Sequence, residues 1–123
     1  MADILIVDDN AAFRKMLRRI LHSRFSSMGI TEAVNGNRAI KETEKKAPDL
    51  IFMDVRLPGE NGFQLTRRIK AAYPEIVVII ITSYDSQEYQ NAAFESGADF
   101  FVSKKTTTPT DILDRVESIF PSS

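Results

Sequence analysis

Apolar residues in this chain come in short unbroken runs, and each run gives way to polar residues of a particular kind. Ile4-Leu5-Ile6-Val7 stops at Asp8-Asp9, Leu50-Ile51-Phe52-Met53 at Asp54, and Ile76 through Ile81 at Thr82. Phe100-Phe101-Val102 stops one residue short of Lys104. The runs near 4–7, 50–53 and 76–81 are apolar throughout rather than alternating, which predicts strands buried on both faces. Ile30 to Val34 is a weaker strand candidate, because Glu32 interrupts it.

Between the runs the hydrophobic period becomes helical. Phe13, Met16, Leu17, Ile20 and Leu21 share one face of a helix that Asn10 can cap. Asn37 is expected to open a short helix through Lys46, closed by Pro48. Asn61 caps a third helix carrying Phe63, Leu65 and Ile69, with Pro74 just past its end. Ser86 or Asp85 opens a fourth, and Gly97 stops it. Thr108-Pro109 supplies a cap and a first-position proline for a fifth, with Ile112, Leu113, Val116 and Ile119 apolar. A strand-helix order repeated in this way predicts an α/β fold, a parallel sheet covered by helices on both faces. Right-handed crossovers leave few topologies. All the run endings then share one sheet edge, and ligands bind at that edge where the strand order reverses.

Composition narrows the function. At 123 residues, 43% hydrophobic and 27% charged, the chain reads as one domain spanning 1–123 with a core of its own. A net charge of −1 argues against a nucleic-acid surface. With no cysteine, disulfides, thiol catalysis and thiolate metal sites are excluded. The longest apolar run is too short to span a membrane. Asp3, Asp8 and Asp9 rule out a signal peptide at the N-terminus, so a cytoplasmic chain is expected. Pro121-Ser122-Ser123 reads as a tail or the start of a linker.

Taken singly, each polar ending has an ordinary explanation. Acids before a helix suit its positive end. Asp54 precedes the turn-rich Leu57-Pro58-Gly59-Glu60-Asn61-Gly62, Thr82 can be a strand-end hydroxyl, and Lys104 a solvated loop lysine. Four strands of one sheet placing complementary groups on one edge is harder to attribute to accident. Three clustered carboxylates raise one another's pKa unless a cation offsets them. With only oxygen ligands on offer the cation should be hard, Mg²⁺ or alternatively Mn²⁺. A carboxylate can attack phosphorus to give an aspartyl phosphate, with Lys104 and Thr82 as donors to the equatorial oxygens.

On these residues the chain resembles the receiver domains of bacterial two-component response regulators, over essentially its whole length. The matching stretches are Ile6-Val7-Asp8-Asp9, Met53 to Gly59 with Asn61-Gly62, Thr82-Ser83, and Gly97-Ala98 leading to Phe101 and Lys104. The resemblance implies a flavodoxin-like, doubly wound sheet of five parallel strands in the order 2-1-3-4-5, with five helices. It implies that Asp54 is the phosphoacceptor and Asp9 a direct Mg²⁺ ligand, with Asp8 acting largely through water. The backbone carbonyl of Arg56 would complete the protein's share of the coordination. Thr82 would hydrogen-bond the phosphoryl group, Lys104 would pair with it, and rotation of Phe101 would report phosphorylation. Arg56 and Tyr84, two residues beyond Asp54 and Thr82, would gate the water that hydrolyses the phosphoryl group. Such a domain is a phosphoacceptor switch that promotes only its own phosphorylation and dephosphorylation. Its partners would be a sensor histidine kinase or phosphotransfer protein, and a downstream effector protein or covalently linked output domain.

Two features depart from the receiver pattern. Lys105 stands where receivers usually carry a proline, often cis, and a non-proline cis bond costs ~3 kcal/mol, so the geometry of the Lys104-Lys105 peptide is open. Phe100 replaces a small or polar residue and is either core packing or an exposed partner contact. His22 suits the end of the first helix, and Thr106-Thr107-Thr108 a loop ending in a cap. Arg14-Lys15 with Arg18-Arg19 reads as a solvated face of the helix that receivers use to dock kinases. Three other functions fit less well. A haloacid-dehalogenase-type hydrolase separates its two acids by one residue and needs a cap domain. A flavodoxin wants a hydroxyl-rich loop after its first strand. A non-phosphorylated scaffold would not need the complete acid, threonine and lysine set.

Overall fold

Successive residues of a strand face opposite sides of its sheet, so a run that is apolar throughout has to be covered twice. In the computed structural model, which describes residues 2–121, it is. The order of elements is β1 (Asp3–Val7), α1 (Ala11–Arg24), β2 (Gly29–Ala33), α2 (Gly36–Lys45) and β3 (Leu50–Met53). Then follow α3 (Gly62–Ala72), β4 (Val77–Thr82), α4 (Gln87–Glu95), β5 (Phe100–Ser103) and α5 (Pro109–Ile119). The five strands are parallel in the order β2-β1-β3-β4-β5, which is the expected flavodoxin-like arrangement. Leu5, Val7, Ile51, Met53, Val78 and Ile80 pack on one face with Ala39, Leu65, Ile69 and Ala93 of α2, α3 and α4. Ile4, Ile6, Leu50, Phe52, Ile79 and Ile81 pack on the other with Leu17 and Leu21 of α1 and Ile112 and Val116 of α5. Each such side chain contributes roughly 1.5–3 kcal/mol on burial.

The caps decide where the loops bearing the site begin. Asn10, Asn61 and Thr108 cap α1, α3 and α5 as the spacing predicts, and the N–H groups of the last two donate in return to the side chains of Gln64 and Asp111. Two starts differ from expectation or resolve it. Helix α2 is capped by Asn35 rather than Asn37, because the Asn35 side chain accepts the Arg38 N–H at 2.9 Å from an extended backbone. Ser86 rather than Asp85 caps α4, which leaves the Asp85 carboxylate free for a different partner. Gly97 ends α4 with φ 101°, and Ala98 N–H returns to the Ala93 carbonyl at 3.1 Å. Gly62 has a different reason: a Cβ there would collide with the Asp54 carbonyl oxygen, so α3 starts directly against the backbone of the candidate phosphoacceptor. Among the described residues there is no cis peptide bond, and the Lys104-Lys105 peptide is trans. None of their helices is long and apolar enough to cross a membrane.

Candidate functional site

The sheet ladder runs one residue past the strand ends, and this brings the polar endings together. Asp8 N–H bonds to the Ala33 carbonyl at 3.1 Å, Asp54 N–H to Val7 at 2.9 Å, and Lys104 N–H to Thr82 at 2.9 Å. Asp8, Asp54 and Thr82 are buried, while Asp9 is exposed at the rim. Oxygens from the carboxylates of Asp8, Asp9 and Asp54 all lie within 4.8 Å of one another. Lys104 Nζ is 2.7 Å from Asp8 Oδ2 and 3.6 Å from Asp54 Oδ2, and it also sits 4.0 Å from the centre of the Phe13 ring. The ammonium is therefore held first by Asp8.

The other oxygens of Asp8 and Asp54 are tied to nearby amides. Asp8 Oδ1 accepts the Asn10 N–H at 2.9 Å, and Asp54 Oδ1 accepts the Val55 N–H at 2.8 Å. Burial, and then the charge of Asp8, push the Asp54 carboxyl above the ordinary range. Lys104, the Val55 amide and the Thr82 hydroxyl offset only part of this. Three negative charges face one ammonium, so the pocket remains short of positive charge. Its donors are carboxylate oxygens, a set that fits a hard cation such as Mg²⁺. His22 takes no part, since its Nε2 lies 3.2 Å from the Met28 carbonyl near the end of α1.

Around this centre the structure sorts the remaining sequence candidates. Arg56 and Tyr84 are brought together, with the guanidinium carbon 4.2 Å from the Tyr84 ring centre. The guanidinium also donates to the Tyr89 hydroxyl at 3.2 Å, so it turns toward α4 instead of lying free over the pocket. Phe101 is half-buried against the core on the α2–α4 side, beside Ile80 in register. Phe100 takes the opposite face, half-buried in the α1–α5 core, with the Arg115 guanidinium 4.7 Å from its ring centre. It is core packing rather than an exposed aromatic.

Sequence reasoning missed three groups. Arg14 and Arg18 do not belong to a solvated face. Their Nε atoms each lie 2.8 Å from one oxygen of Glu32, while Lys15 and Arg19 stay exposed. Burial works to raise the Glu32 carboxyl, but bonds from Arg18 and Arg14 outweigh it and hold it below its usual range. The available signal was Glu32 itself, a charge inside a strand facing two arginines spaced i,i+4. Tyr89 was legible only through its i,i+4 spacing with Ala93, which marks the inner side of α4. Ser103 Oγ donates to Asp85 Oδ2 at 2.6 Å and accepts the Lys105 N–H at 3.1 Å, a bond between two loops that no local pattern announces.

Known proteins of similar sequence and fold show the family. The profile of the response regulator receiver domain matches residues 4–117. Over 113 residues the chain is 36% identical to protein-glutamate methylesterase/protein-glutamine glutaminase 1 of Syntrophus aciditrophicus, covering 90% of this chain and 32% of that one. It is 31% identical over 116 residues to the chemotaxis protein CheY of Halobacterium salinarum, covering 94% of each. The CheY-like receiver domain protein of Methanospirillum hungatei JF-1 superposes with a TM-score of 0.87 at 26% identity, covering 96% of this chain and 92% of that one. The chain thus spans about a third of the methylesterase, and 43% of the DegU transcriptional regulator of Brevibacillus brevis.

Proposed function

The chain belongs to the response regulator receiver domain family of two-component signalling, and from that premise we propose a phosphorylation-controlled switch whose phosphoacceptor is Asp54. The observation that carries this reading is the buried Asp54 carboxylate at a sheet edge, with Asp8, Asp9 and Lys104 around it. A free Asp54 oxygen attacks the phosphorus of a phosphohistidine on a sensor kinase or phosphotransfer protein. The O–P bond forms as the P–N bond breaks, and the imidazole leaves with the electron pair. Asp8, Asp9, Asp54 and the Arg56 carbonyl would hold Mg²⁺, which when bound neutralises charge shared between carboxylate and phosphoryl oxygens.

The remaining steps are carried by side chains that exchange partners. Lys104 leaves Asp8 for a phosphoryl oxygen, a move made easier because its 3.6 Å separation from Asp54 is already short. Thr82 Oγ1 accepts the Tyr84 N–H at 3.2 Å, which leaves its own proton to donate to the phosphoryl group. Rotation of Phe101 reports the phosphorylation and changes the surface of α4, β5 and α5. A downstream effector protein, or an output domain on the same polypeptide, reads that surface. The chain would do this in the cytoplasm, where phosphohistidine donors reside.

Acetyl phosphate with Mg²⁺ tests the reading by intact-mass measurement. The wild type should gain one phosphoryl group, and both chelator and Asp54→Asn should prevent it. An adduct persisting on Asp54→Asn would place the phosphoacceptor elsewhere.

A further inference from the structure

We infer that Arg14 is a positioning residue for the acid pair, fixing the Asp8-Asp9 peptide through the Asp8 carbonyl while Glu32 holds the guanidinium in place. The inference rests on the receiver reading above and adds a residue to it. Asp9 is exposed, and the peptide that carries it sets the point and direction from which its side chain leaves the backbone. That peptide is pinned through its carbonyl: Arg14 donates to the Asp8 carbonyl oxygen at 2.7 Å, a charge-assisted bond. The second arm of the same guanidinium, Nε, is 2.8 Å from Glu32 Oε1, and the side chain is only 13% exposed. With Asp8 N–H on Ala33 and Asn10 N–H on Asp8 Oδ1, the backbone that carries the two acids is held in one conformation. A metal-ligand pair aimed by a rigid backbone loses little freedom when the ion arrives.

The structure contains its own control. Arg18, one turn further along α1, makes the same contact with the other oxygen of Glu32 at 2.8 Å. Its second arm goes to the Ile30 carbonyl at 3.0 Å, on β2 and away from the acids. Both arginines tie α1 to β2, but only Arg14 reaches the peptide that carries the acid pair. A general contribution to stability should be shared by the two; positioning of the acid pair should not.

Calorimetric Mg²⁺ titration of Arg14→Met, Arg18→Met and Glu32→Gln separates these roles. Arg14→Met should weaken Mg²⁺ binding about tenfold, as loss of a group behind a metal ligand typically does. Its phosphorylation by acetyl phosphate should fall at limiting Mg²⁺ and recover at saturating Mg²⁺. Arg18→Met should stay within about twofold of the wild type, inside the scatter expected for a change that leaves the ligands' support intact. Glu32→Gln should weaken binding less than Arg14→Met, and it carries the test if Arg14→Met does not fold. Equal losses in the two arginine variants would overturn the inference. So would wild-type affinity in Arg14→Met, or in Glu32→Gln should that variant carry the test, or a phosphorylation deficit that saturating Mg²⁺ fails to repair. In each of those results the wild type still binds Mg²⁺ and is phosphorylated on Asp54; a wild type that does neither would overturn the receiver reading itself.

Discussion

The two flanks of the pocket are built from different kinds of contact. On the β2-β1-α1 side, each arginine meets the Glu32 carboxylate with one arm and a backbone carbonyl with the other, Arg14 on Asp8 and Arg18 on Ile30, and the strand ladder continues through Asp8 to Ala33. On the β3-β4-β5 side the loops are joined by side chains meeting side chains: Arg56 on Tyr84 and Tyr89, and Ser103 on Asp85. A bond to a carbonyl cannot be exchanged without moving the chain, whereas a pair of exposed side chains is separated by a change of rotamer. One flank therefore suits holding charge in fixed positions, and the other suits rearrangement when a phosphoryl group arrives. Lys104 belongs to the second flank by sequence and to the first by its 2.7 Å bond to Asp8.

That double membership gives the largest expected effect. Lys104→Ala would leave the buried Asp8 and Asp54 carboxylates facing each other without their ammonium. In chelator the variant should lose ~2 kcal/mol of stability, below the range for a fully enclosed pair because the pocket opens to solvent. Added Mg²⁺ should restore much of the loss. Urea melts with and without Mg²⁺ check this, and an unchanged midpoint in chelator would mean that the flanks are not joined there.

The second effect concerns the lifetime of the phosphorylated state. Arg56 and Tyr84 are stacked, so they should act as one gate on water reaching the phosphoryl group. Decay after donor removal should be about tenfold faster in Arg56→Ala/Tyr84→Ala than in the wild type. Each single variant should approach the double, since removing either partner opens the stack. Additive single effects would show two independent gates, and an unchanged rate would remove the gating role.

A third effect follows from Asp54 itself. Its carboxyl is raised in the fold, chiefly by burial and then by Asp8, so the native state favours the protonated form more than the unfolded chain does. That contribution is fully present below the unfolded pKa and is lost as pH rises through the folded one. At neutral pH in chelator, Asp54→Asn should accordingly be more stable than the wild type by ~1 kcal/mol. The advantage should shrink as pH falls into the carboxylate range. Melts that show the gap widening toward acid would contradict the direction of the shift.

How much of this was legible in the sequence follows the same division. The strands, their shared edge and the polar endings were readable because buried parallel strands are written as local apolar runs. Asp8, Asp9, Asp54, Thr82 and Lys104 come together because each sits at or just past the end of such a run. Arg14 and Arg18 were not readable from their own helix, where polar residues opposite an apolar stripe usually face solvent. Their partner Glu32 lies on another strand, and only the β1–β2 register places it in front of them. Helix α2 starts at Asn35 rather than Asn37 for a local reason: both asparagines can cap, and the extended backbone at Asn35 decides.

The smallest effect probes the exchangeable flank at its simplest bond. Ser103 Oγ donates to Asp85 and accepts the Lys105 amide, so one hydroxyl joins the loop after β4 to the loop that carries Lys104. Ser103→Ala should leave the fold intact and make the Lys105 amide exchange with solvent severalfold faster, whereas amides at Asp8 and Asp54, held by the ladder, should not change. Asp85 adds a sign. The Ser103 hydrogen bond is the main cause holding its carboxyl below the usual range; burial opposes it, and the charge of Lys105 adds a smaller lowering. A carboxyl lowered in the fold contributes above its unfolded pKa and loses that contribution as pH falls through the folded one. The difference in exchange between wild type and Ser103→Ala should therefore be full at neutral pH and fade in acid. Equal exchange of Lys105 in the two proteins at neutral pH would show that the trans Lys104-Lys105 segment holds its place without the hydroxyl, and the two flanks would then be alike in rigidity.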